Sequence, residues 1–78
     1  MREKKQYFVV TYFTTAEAMA TERLCKARGI KGRLFPVPRS LTADCGIAWR
    51  TLPENKELLK SALVEAKIEV QDFYDLEL

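Results

Sequence analysis

The 78-residue sequence contains no histidine, which removes the commonest general base and the commonest metal ligand together. Its two cysteines, Cys25 and Cys45, are too few for a disulfide scaffold and have no CxxC spacing, so a zinc site is excluded and no metal or other cofactor is implied. Three glycines and three prolines supply short turn signals but no linker or low-complexity tract. No apolar run approaches the roughly 20 residues of a membrane span. Met1-Arg2-Glu3-Lys4-Lys5 is followed by Gln6-Tyr7-Phe8-Val9-Val10, a run too short and too aromatic for a signal-peptide core and lacking a small-residue cleavage site. A cytoplasmic protein with reduced thiols is therefore expected. A chain of this length buries only about 60 to 65% of the surface its unfolded form exposes, which argues against a deep private active site.

What remains is an ordinary folded composition: 47% hydrophobic, 31% charged, mean hydropathy −0.22. It reads as a single domain over residues 1–78, with residues 1–5 as a flexible N-terminal end. The net charge of +2 hides an asymmetry. Residues 1–50 hold ten Lys and Arg against four Asp and Glu, whereas residues 51–78 hold three against seven. Between Arg23 and Arg50 stand seven basic side chains (Arg23, Lys26, Arg28, Lys31, Arg33, Arg39, Arg50) and one acid, Asp44. Such a stretch can attract an anion or an acidic partner protein, or favour a thiolate; it can equally be a solvated helix face with loop charges. Nucleic acid is not expected as a partner, since there is no RNP-type signature, zinc-finger spacing or long basic helix.

Residues 7–13 are β-branched and aromatic and predict a strand. Thr14-x-x-Glu17 has capping-box spacing for a helix whose stripe is Ala16, Ala20, Leu24 and Ala27, closed by Gly29. Residues 31–37 predict a second strand that Pro36 and Pro38 confine to a sheet edge or a strand end. After a loop, residues 47–52 predict a third strand. Pro53 then opens a second helix with a stripe of Leu58, Leu59, Ala62, Leu63 and Ala66, and residues 68–74 predict the last strand. The order β-α-β-β-α-β implies an α+β, ferredoxin-like sandwich, with two helices on one face of a four-stranded antiparallel sheet. The first strand is apolar on both faces, with Tyr7, Val9 and Thr11 alternating against Phe8, Val10 and Tyr12. A second copy or a partner over the open sheet face is one reading of this pattern; simple β-propensity is the other.

Cys45 is the candidate reactive group. It lies where a loop meets a strand, and Gly46 follows it, so the backbone there can turn sharply or be closely approached. An ordinary thiol with a pKa of about 8.5 is only a few per cent thiolate at neutral pH. Arg39, Arg50 or a free backbone N–H would raise that fraction, and Asp44 would oppose it. Strand alternation groups Cys45, Ile47 and Trp49 on one face and Gly46, Ala48 and Arg50 on the other, so Arg50 is not expected to face the thiol. The opposing reading makes Cys45 a small buried hydrophobe. Cys25, beside Leu24, reads as a packing residue, or else as a resolving thiol if the two alpha carbons approach within about 7 Å. Trp49 reads as core or interface. Glu54 and Glu57 suit the positive end of the second helix rather than a catalytic carboxylate pair.

Pro36-Val37-Pro38-Arg39, a short Ser/Thr-bearing loop and Cys45-Gly46-Ile47-Ala48 together resemble a small bacterial family described as selenium/sulfur (Se/S) carrier protein-like. The likeness extends from the first strand through the Gly29-Ile30 turn to Leu52-Pro53. It implies that Cys45 is the carrier thiol, with Arg39 matching the family's arginine and Gly46 forming the backbone at the thiol. Family members tend to carry small hydroxyl residues before the cysteine, where this chain has Thr42-Ala43-Asp44. The resemblance implies sulfur or selenium donor and acceptor proteins as partners and a carrier or binding protein rather than a self-sufficient enzyme. Two competing readings are a ferredoxin-like dimerisation or binding module with Cys45 structural, and a redox sensor pairing Cys45 with Cys25.

Overall fold

Residues 5–37 and 46–77 are described by the computed structural model of the chain. They form β1 (Gln6–Thr11), α1 (Thr15–Arg28), β2 (Arg33–Pro36), β3 (Ile47–Thr51), a 3-10 turn (Pro53–Asn55), α2 (Lys56–Glu65) and β4 (Asp72–Glu77). The other residues lie outside that description, and with them most of the expected flexible end over residues 1–5, Arg39 and the Cys45 thiol. The strand order is β2-β3-β1-β4 with every neighbouring pair antiparallel, the ferredoxin-like arrangement that the order of elements implies. Pro36 falls on β2, an edge strand, where a missing ladder donor is tolerated.

The central strand β1 sets the two layers. Phe8, Val10 and Tyr12 join Trp49, Ala18, Cys25, Ile30, Leu59, Ala62 and Leu63 in the core beneath the helices. Phe8 stacks on Phe73 at 5.4 Å between ring centroids, and Lys56 and Lys60 lie over the Phe8 ring at 5.4 and 5.9 Å, where their stems cover apolar surface and their charges meet the ring faces. On the opposite face Val9, Ala48 and Val37 are buried, with Tyr7, Phe35, Tyr74 and Leu76 packed around them. The face that alternation left apolar is thus partly covered within the chain itself.

Helix α1 starts at its expected cap. Thr14 has extended backbone (φ −134°, ψ 159°), but it makes no side-chain bond to the helix backbone; its hydroxyl donates to the Glu17 carboxylate instead. The fully buried positions are Ala18, Thr21 and Cys25; of the expected stripe of Ala16, Ala20, Leu24 and Ala27, Leu24 packs half-buried on the core while Ala16 and Ala27 are exposed. Alanines are spread around this helix and carry little information about its inward side. Thr21 can be buried because its hydroxyl donates to the Glu17 carbonyl at 2.9 Å. Gly29 adopts φ 71° and its successor Ile30 donates to the Cys25 carbonyl at 2.9 Å, the closing bond of a Schellman motif.

In α2 the buried positions are Leu59, Ala62 and Leu63; Leu58, 54% exposed, and Ala66 lie outside the stripe expected for them. The last strand differs most, running Asp72–Glu77 instead of over residues 68–74. A second Schellman motif is the cause: Lys67 takes φ 57°, its N–H bonds to the Val64 carbonyl, and the Ile68 N–H bonds to the Leu63 carbonyl. Ile68 and Val70 then pack on the core without sheet pairing, and the Gln71 N–H reaches the Thr11 carbonyl at 2.7 Å to set the β4 register.

Trp49 and Gly32 fix how β2 meets the rest of the sheet. A Cβ added at Gly32 would lie 2.5 Å from the Arg50 carbonyl oxygen and 2.6 Å from the Trp49 ring. The indole is placed by shape alone: its buried Nε1 has no hydrogen-bond partner among the described residues. Thr51 completes the junction, donating to the Lys31 carbonyl at 2.5 Å and accepting from Asn55 Nδ2 at 3.0 Å.

Two substitutions test this account by chemical denaturation, with the sole tryptophan as reporter. Gly32→Ala is expected to cost about 1–3 kcal/mol by overpacking against backbone and indole. Lys67→Gly is expected to gain about 0.5–1 kcal/mol, because relief of the left-handed conformation exceeds the entropy cost of glycine.

Candidate functional site

The Cys-Gly segment enters the described structure at Gly46, which has φ +74° and no heavy atom within 4 Å of the position a Cβ would take. Glycine is required here for conformation rather than for space. The Gly46 carbonyl accepts from the Val37 N–H at 2.9 Å, and Pro36 lies opposite Ile47 in the ladder. The chain therefore leaves the sheet at Val37 and rejoins it at a hydrogen-bonded neighbour. Val37 and Gly46, the described residues that flank the sequence segment 38–45 with Arg39, Asp44 and Cys45, thus lie side by side at one end of the β2–β3 ladder. Those three side chains lie outside the described residues. The described rim of that end is apolar: Leu34, Phe35, Pro36 and Ile47 line an open groove of about 250 Å³.

Strand alternation holds for the part of β3 that is described. Trp49 is in the core beneath the helices with Ile47 packed against it, whereas Ala48 belongs to the opposite cluster. Arg50 shares the Ala48 face, with its guanidinium 4.7 Å from the Tyr7 ring centroid and 5.5 Å from that of Phe35. Among the described residues, no side chain of the basic stretch lines the groove beside Gly46. Arg28, at the end of α1, is engaged by Glu65 at 2.5 Å. Lys31, Arg33 and Arg50 converge at the other end of the β2–β3 ladder, three rungs from the Pro36–Ile47 pair, roughly 10 Å away at strand spacing. The sequence shows these three charges, but only the register brings them to one place.

Cys25 is fully buried in the core of the helix layer, as the packing reading expected. Burial pushes its thiol pKa up to about 11, because a thiolate there would lose its hydration. It is a protonated, inert thiol at neutral pH. Glu54 and Glu57 stand in the turn before α2 and in its first turn, where carboxylates complement the helix dipole.

The family model described as "Putative Se/S carrier protein-like" matches residues 7–75. The chain belongs to this family. The match runs from β1 into β4 and includes both helices, β2, β3 and the Cys45-Gly46 pair, leaving out only Gln6 of β1 and the last two residues of β4. No curated protein and no solved structure matches the chain. Among the described residues no helix is long and apolar enough to cross a membrane.

The raised Cys25 pKa makes a stability prediction with a definite sign. The unfolded thiol ionises near 9 and the folded one near 11, so the native state binds the extra proton between those values and loses stability as pH rises through that window. Urea midpoints at pH 8 and pH 10.5 are expected to differ less for Cys25→Ala than for the wild type.

Proposed function

We propose that this Se/S carrier family member accepts sulfur or selenium on the Cys45 thiol and hands it to an acceptor protein. Family membership across residues 7–75 carries this reading. The hairpin tip supports it: Gly46, in the left-handed conformation, follows Cys45 directly, and the segment is anchored at both ends by one rung and one hydrogen bond. In the sulfur case the Cys45 thiolate attacks the outer sulfur of a donor persulfide. The donor S–S bond breaks, the donor departs as a thiolate, and a new S–S bond leaves Cys45 as the persulfide. An acceptor nucleophile then takes the outer sulfur and Cys45 leaves as the thiolate, so neither step requires an added oxidant. Arg39 would stabilise the thiolate and the anionic persulfide. The buried, protonated Cys25 is better suited to packing than to resolving a disulfide.

The test is incubation with a cysteine desulfurase and cysteine, followed by mass spectrometry of the intact chain. Wild type and Cys25→Ala are expected to gain one sulfur atom, Cys45→Ser none, and Arg39→Ala to load more slowly. Equal loading of Cys45→Ser would overturn the assignment. A native Cys45 that alkylating reagents reach only after unfolding would favour the binding-module reading.

A further inference from the structure

The open face of the sheet carries an arrangement that a folded chain does not need for its own stability. Register places Arg33 directly opposite Arg50, and the same rung continues through Val9 to Tyr74. Like charges paired across strands are destabilising. Neither arginine has a carboxylate partner among the described residues, whose ion pairs are Arg28 with Glu65 and Lys56 with Asp75. Register puts one described strand carboxylate on this face, Asp72, at the far edge strand β4.

The two arginines open on a cleft of about 290 Å³ lined by Tyr7, Lys31, Gly32, Arg33, Arg50, Thr51 and Leu52. Arg50 is half-buried, and its guanidinium is held near the rings of Tyr7 and Phe35. Its fork is therefore oriented before any ligand arrives, which reduces the ordering cost of binding. Lys31 is held by its carbonyl, which accepts from the Thr51 hydroxyl. Three basic residues thus line one small concave site, and none of them has an ion-pair partner among the described residues.

We propose that Lys31, Arg33 and Arg50 form a binding site for a phosphate-type dianion. Two guanidinium forks present paired donors to its oxygens, and the lysine adds a point charge. A single carboxylate would supply one charge and two oxygens to this site; a phosphate group supplies nearly two charges and at least three. The cleft lies at the opposite end of the β2–β3 ladder from Gly46, and the proposal does not rest on the carrier reading.

The test is a titration of the whole chain with inorganic phosphate at ionic strength held constant with sodium chloride, followed by two-dimensional NMR. Saturable shifts are expected at the amides of residues 31–33 and 50–52. A parallel titration with glycerol 3-phosphate distinguishes the sources: tighter binding identifies a phosphate monoester, weaker binding the free anion. Arg33→Ala is expected to weaken binding at least tenfold while leaving the thermal midpoint unchanged or higher, because a like-charge pair is relieved. Arg50→Lys keeps the charge but loses the fork, and is expected to bind several-fold more weakly. Cys45→Ser should bind as wild type does, which separates this result from the fate of the carrier reading. Shifts that fail to saturate, shifts reproduced by chloride alone, or undiminished binding by Arg33→Ala would overturn the proposal. So would an oligoglutamate peptide that outcompetes both phosphates, since the cleft would then be a protein-docking surface.

Discussion

Burial of β1 on both faces is the constraint on which the other elements depend. Phe8 and Val9 are adjacent in sequence, yet one lies 1% and the other 0% exposed, on opposite sides of the sheet. A strand can be dry on both sides only at the centre of a sheet with cover above and below. β3 and β4 therefore flank it, and the helices must supply one cover. That cover is assembled from modest side chains. Cys25, Ala18 and Thr21 let α1 approach closely, while α2 contributes Leu59 and Leu63. Cys25 serves the fold as a small hydrophobe, and its raised pKa follows from that use rather than from any reactive role.

The two ends of the β2–β3 ladder differ in character. At its tip, Gly46 and Val37 bracket the segment that carries Cys45, and the described surroundings are apolar. At its base, Lys31, Arg33 and Arg50 concentrate positive charge around a cleft. The hairpin base is also where packing is tightest, because Trp49 fills the space that a side chain at Gly32 would need. A close-packed strand junction is a rigid support for the basic residues around it.

Much of this was legible in the chain itself. Alternation in residues 7–12 gave both faces of β1, Gly29 marked the end of α1, Pro53 marked the approach to α2, and Cys45-Gly46 marked the candidate carrier site. The exceptions have identifiable causes. The inward face of α1 was misread because alanine fits either side of a helix, and a threonine that satisfies its own hydroxyl through the Glu17 carbonyl can be buried. β4 was placed too early because Ile68 and Val70 have strand-like side chains. Lys67 adopts a left-handed conformation that lysine rarely shows, and the chain needs several further residues before it pairs with β1.

By itself, then, the sequence determined the order and type of the elements, the confinement of the prolines to a sheet edge or a strand end, the absence of histidine chemistry and the choice of Cys45 as the candidate thiol. These follow from local propensity and from residues that are simply present or missing. Tertiary structure decided that Cys25 is sealed in the core and that Lys31, Arg33 and Arg50 line one cleft. Those properties depend on register and burial, which arise between segments distant in sequence: Arg33 and Arg50 are seventeen positions apart and become neighbours only when β2 and β3 pair.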